Sequence, residues 1–586
     1  MSDSNDNIVL TPSCEQSSVS AEHTADIIDK QRISWSAAVT AAAVLSACGG
    51  GTSVQSASGQ VDTNQIAAAP PALNAAPISD IDASRFLAQA SMGANRAEIS
   101  RVQALGYAGW LSDQFSMPLS TSRWDWLVAH GYDALSYRNS QAGFDSCAWK
   151  KLISAPDTLR QRITLALSEI IVVAIDGLIG GGWKAFAGAA FLDMLEANCF
   201  ANYRTLLGLV STSPAMGEYL TFRGNTKYDP KTGALPDENY AREIMQLFSI
   251  GLLQLNIDGT PKLINGVAQE TYSLDDITGL ARIFTGWDFD LAGGKANTPD
   301  FMRRPMIQVA SRHETGASSF LGSTVPAGLN GTDSLNAALD IIFSHPNVAP
   351  FISKQLIQRL VTSNPSAAYV TRVANIFNND GKNVKGNLQA VITAILLDSE
   401  ARNQINSTSN VQTGKLREPM LRFIAWARAY NVSSPSDAWS IGNTSDPATR
   451  LGQSPSRSPS VFNFFRPGYV PPNTGIATAH LVAPEFQLAN ESSVVGYVNF
   501  MQRIVSKGIG DLKPDYSSLS VLADDATALL NEINTVLAAG QLSEATLFNL
   551  RNAVGTMPSG TDARRNNRIY AALTLVLAAP EFIVLK

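Results

Sequence analysis

The sequence predicts a mainly α fold: a large multi-helix globular body with one or two small β-hairpins. Three observations carry this prediction. Apolar residues recur at three- and four-residue spacing through most of the chain from Asp80 onward. Capping residues open several of those runs. Strand signals are few, the clearest being an Asp-Gly turn between short apolar runs. With 586 residues, 45% hydrophobic and 16% charged, the chain can bury one large core or two to three ordinary ones under a sparsely charged surface. The formal net charge is −6. Six acids against two bases fall in residues 1–47, so the remainder is close to neutral. It has no basic excess or stripe, and nucleic acid is not an expected partner.

Residues 1–29 are polar and acidic. Lys30 and Arg32 then precede the apolar run Trp35 to Val44, and Leu45-Ser46-Ala47-Cys48 follows. A short basic region, an apolar run of that length and small residues at a cleavage site read as a secretory signal rather than a membrane span. Leu-Ser-Ala-Cys resembles a bacterial lipoprotein box, which implies lipidation of Cys48, and Gly49 after it resembles the outer-membrane-destined form. The long leader ahead of Lys30 departs from that pattern, and the alternative is an Ala-rich helix ending in a cysteine. Residues 1–47 are therefore expected to be a signal segment and residues 48–78, rich in Gly, Ser, Ala and Pro, a flexible tether. The expected location is the cell envelope, as an outer-membrane lipoprotein or in the periplasm. Residues 79–586 form the helical body, as one domain or two closely packed subdomains.

Within the body, Asp82 to Leu87 opens a helix, and Asn95 with Glu98 three residues later caps the next, which keeps helical spacing to Gly106. Tyr107, Trp110, Leu111 and Phe115 are helically spaced core residues. Leu159 to Ile163 begins a helix running into Ser168-Glu169. Cys147 and Cys199, separated by 51 residues, either form a disulfide contributing roughly 3–4 kcal/mol or remain buried free thiols.

The chain is organised around Asp237 to Phe248. Pro236 and Asp237 start this helix and Gly251 ends it. Tyr240, Ile244, Leu247 and Phe248 share a buried face, while Glu238 and Arg242 are spaced for an ion pair. Asn239, Glu243 and Gln246 border the apolar stripe, so Glu243 is desolvated and requires a cation, a donor or a metal. Asp258-Gly259 marks a hairpin. Ser273 and Asp276 cap a second helix whose buried face is Leu274, Ile277, Leu280, Ala281 and Phe284, with Arg282 placed to reach a carboxylate of the first. Residues 337–403 form two or three helices, and Gly414 to Pro419 starts another. The runs 390–400 and 571–581 echo one another, which suggests helix pairs of similar design.

Pro236 to Gly251 resembles the signature helix of the bacterial domain of unknown function 1800. Arg85 to Trp110, Tyr272 to Trp287, Arg312 to Gly322, Ser458 to Pro467 and Ala483 to Phe486 resemble further motifs of that family, so the resemblance spans roughly residues 80–586. Many members carry His-Asn-His where this chain has Ser168-Glu169, and a lysine in the space of Ser318-Ser319. Chemistry dependent on those groups does not carry over. The family's genes often lie beside those of another exported family that resembles sulfatases, which implies an exported protein partner.

His130, His313, His345 and His480 have no helical metal spacing, and no cysteine cluster, Gly-x-Ser-x-Gly elbow or phosphate loop is present. No metal or cofactor is expected. Asp288-x-Asp290-x-x-Gly293 lacks the ligands that would complete a calcium loop. What remains is a composite polar site. Its catalytic candidates are His313, Glu243, Arg242 and Arg282, and its binding candidates are Glu238, Asn239, Asp276, Arg312, Glu314, Arg417 and Glu418. Two functions fit. One is a tethered binding or assembly component for another exported protein, with the aromatic loop 461–470 as docking surface. The alternative is an envelope hydrolase or other acid–base enzyme, in which a closed pocket would join Glu243, Arg282 and His313.

Overall fold

The computed structural model describes residues 77–294, 296–403 and 413–586. Cys48, the signal segment and all but the last two residues of the tether lie outside the described residues. The architecture is mainly α, with 23 α-helices among the described residues and only two-stranded antiparallel pairs of β-strands. None of these helices is long and apolar enough to cross a membrane.

Local chemistry accounts for the main elements. Asn95 Oδ1 accepts from Glu98 N at 2.9 Å and opens Arg96–Ser116, which bends at Gly106 (φ 70°) and continues beyond it. Ser273 and Asp276 form a reciprocal capping box at the start of Leu274–Ala281. Pro419 sits in the first turn of Pro419–Ala429, where its missing N–H costs nothing. The two echoed runs share a design: Leu388–Leu397 and Asp562–Ala578 each break at one extended residue before a single helical turn, Ser399–Arg402 or Pro580–Ile583.

Three expectations need correction, and the alternative left open for Cys147 and Cys199 is decided. The central helix is shorter than predicted, Asn239–Gln246. Leu247 N and Phe248 N both donate to Glu243 O, and Ile250 N and Gly251 N both to Met245 O, so the chain unwinds into wide turns. Asp258-Gly259 does turn the chain, but only a single bridge, Leu255 to Pro261, flanks it. The regular hairpin, Leu263–Ile264 with Val267–Ala268, forms around Asn265-Gly266, whose positive φ values (52° and 80°) suit a tight two-residue turn. The stretch 337–403 yields more helices than expected, because His345 ends Gly331–Ser344 and Asn347 starts Val348–Leu360. Cys147 and Cys199 are unbridged and buried; Cys147 Sγ donates to Phe144 O at 3.1 Å.

Apart from the hairpin unit 262–269, the described chain forms one body with two apolar clusters. The first is built from residues between Ala83 and Ala401, with Val536. The second gathers Pro419–Ala429, Glu491–Lys507, Ala526–Ala538 and Asp562–Ala578. Thr158–Ser168 lies at their boundary, giving Leu159, Ile163, Ala166 and Leu167 to the first and Leu165 to the second. Because this helix is buried all round from Thr158 to Leu167, its polar side chains must find partners inside the protein.

Candidate functional site: a buried acid–base centre

The structure ties most of the predicted composite site into helix and loop locks. Glu238 pairs with Arg242 at 3.5 Å, and Glu238 Oε1 accepts from Thr278 Oγ1 at 2.7 Å, joining the two central helices. Asn239 N donates to Asp237 Oδ1, and Asn239 Nδ2 reaches Thr221 Oγ1 at 3.4 Å. Asp276, beyond its capping role, accepts from Leu321 N at 2.6 Å. Arg282 reaches no carboxylate of the first helix and instead faces Glu314 at 3.6 Å. Arg312 pairs with Asp288 at 2.8 Å, and Arg304 faces Asp290 at 3.4 Å, so arginines neutralise both acids of the calcium-like run.

His313 is only 2% exposed. Its Nδ1 lies 3.1 Å from Thr285 O and its Nε2 3.4 Å from Ser334 Oγ, while burial lowers its pKa. A neutral imidazole there fastens the loop after Leu274–Ala281 to Gly331–Ser344. Glu243 is 7% exposed, and its Oε2 makes no hydrogen bond among the described residues. The expected compensating partner is missing; burial pushes its pKa up to about 7, with Arg242 opposing weakly, so the proton itself relieves the desolvation. No hydrogen bond or ion pair among the described residues joins Glu243 to Arg282 or His313.

A denser constellation occupies the boundary between the apolar clusters. Arg162 comes from Thr158–Ser168, Glu169 caps the same helix, Arg359 comes from Val348–Leu360, Lys415 and Glu418 flank the start of Pro419–Ala429, and Glu485 follows later. None of these six is more than 8% exposed. Lys415 Nζ pairs with Glu485 at 2.9 Å, donates to Arg359 O at 2.8 Å and lies 3.9 Å from Glu418. Arg359 faces Glu169 at 3.5 Å and stacks on the Phe465 ring at 4.5 Å. Gln453 Nε2 donates to Glu418 Oε2 at 2.6 Å.

The carboxyls of Glu169 and Glu418 titrate as a pair, each shifting the other. Both oxygens of Glu169 and Oε1 of Glu418 have no hydrogen-bond partner among the described residues. Burial and then the Glu418 charge raise the Glu169 pKa well above the carboxylate range. Burial also pushes Glu418 up, but Lys415, its interaction with Glu169, Arg359 and Arg162 together hold it down. The pair is therefore an acid beside a carboxylate, with Glu169 holding the proton. Two like charges at contact in a dry interior cannot both ionise cheaply.

Arg417 and Glu418 are neighbours in sequence but face different surroundings. Glu418 enters this centre, whereas Arg417 stacks on Phe582 at 4.5 Å and donates to Leu537 O at 3.3 Å. A small cavity beside Glu169 is lined by Ser168, Ser454, Ser458, Asn463 and Phe464, with volume about 20 Å³, room for about one water. Within the aromatic loop the Phe465 ring turns inward, 1% exposed and stacked under Arg359, whereas Val470 is 39% exposed. Sequence reasoning missed Arg162, Glu169, Arg359, Lys415, Gln453 and Glu485. One signal was available: Arg160, Gln161 and Arg162 stand consecutively in an otherwise apolar helix, which puts charge on faces that packing must cover.

A family model described as Protein of unknown function (DUF1800) matches residues 85–584. No curated protein and no solved structure matches the chain.

Proposed function

The chain belongs to the DUF1800 family, and we propose that it is an exported, lipid-anchored component that docks another exported protein of the cell envelope. The observation that carries this is the hairpin of residues 262–269. Its Leu263, Ile264 and Val267 are 57%, 60% and 64% exposed. Successive strand residues point to opposite faces, so Leu263 and Ile264 present apolar surface on both sides of the ribbon. Ile264 and Val267 are cross-strand partners and form one exposed apolar patch, of a kind that marks contact with another macromolecule, and covering the two would contribute roughly 2–3 kcal/mol. The signal segment, Cys48 and the tether supply the route to the envelope. The locking of His313, Asp276, Arg282 and Arg312 into helix and loop contacts fits a scaffold.

The test is photo-cross-linking from position 267 in native membranes, followed by affinity capture with wild type and with Ile264→Asp/Val267→Asp at matched expression. One exported protein captured stoichiometrically by wild type and lost from the folded variant is the expected result. Equal capture by both proteins, or cross-links to lipid alone, overturns the reading. Glu243, with its free Oε2 and a pKa near 7, favours a second reading, acid–base catalysis in the envelope. Under that reading Glu243→Gln reproduces a deletion phenotype while leaving capture intact.

A further inference from the structure

Arg162 and Lys415 of the buried centre, with Arg417, also line a second small cavity, about 20 Å³, otherwise walled mainly by apolar groups such as Met92, Leu421 and Val536. The three cations are 1%, 3% and 5% exposed. Lys415 is already engaged by Glu485 and Arg359 O. The arginines are not. Arg162 spends Nη2 on Arg359 O, but its Nε and Nη1 have no acceptor among the described residues, and neither has Arg417 Nη2. Neither guanidinium has a carboxylate within ion-pair distance among the described residues.

Charge makes the same point. Arg162 shares the charges of Glu418, Glu169 and Glu485 with Arg359 and Lys415, whereas Arg417 is buried beside Arg422 with no acid in ion-pair distance among the described residues. Arg422 compounds the excess, since its Nε donates to Arg417 O at 2.6 Å and its guanidinium stacks on Tyr497 at 4.8 Å. A buried guanidinium without a counter-charge is among the most costly groups in a fold. Water in the cavity would satisfy the free N–H groups and leave the charge uncompensated. A small anion does both.

We propose that this cavity is a structural anion site, in which Arg162 and Arg417 clamp one halide-sized inorganic anion, chloride being the abundant case, between the two apolar clusters of the body. The room for about one water-sized particle selects a halide over sulfate or phosphate, whose tetrahedral oxygens need more space. The donors come from Thr158–Ser168 and from Arg417 in the link between the strand Lys415–Leu416 and Pro419–Ala429, so the anion joins elements of both clusters.

The test uses the whole folded protein. Thermal unfolding is followed while sodium chloride replaces sodium gluconate at constant ionic strength, with sodium sulfate as a third series. The expected result is a midpoint that rises with the logarithm of chloride concentration, as for a site that binds the folded state only, and stays flat with gluconate and sulfate. Crystals soaked in bromide should show an anomalous peak at hydrogen-bonding distance from Arg162 Nη1 and Arg417 Nη2. Arg417→Met, which keeps the stem and removes the donors, should abolish the chloride dependence. Identical midpoints in all three salts overturn the proposal, as does equal stabilisation by sulfate, or a folded Arg417→Met whose midpoint still rises with chloride. A bromide peak without a chloride-dependent rise of the midpoint in solution means binding at crystal concentration only and also overturns it. Should the variant fail to fold, the wild-type titration and the bromide peak decide the matter alone.

Discussion

Replacing Glu169 and Glu418 one at a time by glutamine separates the acid from the carboxylate in the buried pair. Glu169 is 6% exposed and Glu418 is fully buried. The folded-state pKa of Glu169 lies well above its unfolded value. Its favourable protonation is therefore fully present below about pH 4.5 and is lost as pH rises through the folded pKa. Over each pH unit in which the folded state keeps a proton that the unfolded chain has released, wild type loses about 1.4 kcal/mol. Glu169→Gln keeps the shape, places a neutral group beside Glu418 and removes this dependence. It should match wild type within about 1 kcal/mol at pH 5 and exceed it at pH 8.

Glu418→Gln does the opposite. It removes the carboxylate that accepts from Gln453 at 2.6 Å and helps neutralise Lys415, leaving Glu485 as the only acid near that lysine among the described residues. Breaking such a buried partnership costs about 3 kcal/mol. Because the Glu418 pKa is depressed, that cost is present above about pH 4.5 and fades as pH falls through the folded value. Urea unfolding of the three proteins between pH 4 and 8 reads both effects. Parallel pH profiles for the two amide variants would refute the assignment of one proton to Glu169.

Two further outcomes can be checked by the same assay. Glu243 has a folded pKa near 7 against an ordinary value of 4.5, so wild type is penalised increasingly between those pH values; Glu243→Gln should be stabilising by about 2–3 kcal/mol at pH 8 and neutral near pH 4. At Gly279 a Cβ would stand 2.1 Å from Ser319 O, where Leu274–Ala281 presses on the strand Ser318–Phe320, so Gly279→Ala should cost about 2 kcal/mol or more. Gly555, a helical glycine with nothing within 4 Å, is the control, and Gly555→Ala should gain about 0.5–1 kcal/mol.

What the sequence determined by itself was local. Apolar spacing and caps such as Asn95, Ser273 and Pro419 made the helices legible, because helix formation and capping act over three or four residues. The Glu238–Arg242 pair was legible for the same reason. The site was not. His313 stood out for its chemistry in a glycine-containing loop, but which groups surround a side chain depends on segments far away, and Thr285 and Ser334 enclose it. Glu169 and Glu418 are 249 positions apart in the chain, and Lys415 and Glu485 are 70 apart; no periodicity encodes those meetings. Only packing of the two apolar clusters against Thr158–Ser168 brings them into one dry volume. There desolvation, which no single residue carries in its sequence, sets which acid keeps its proton.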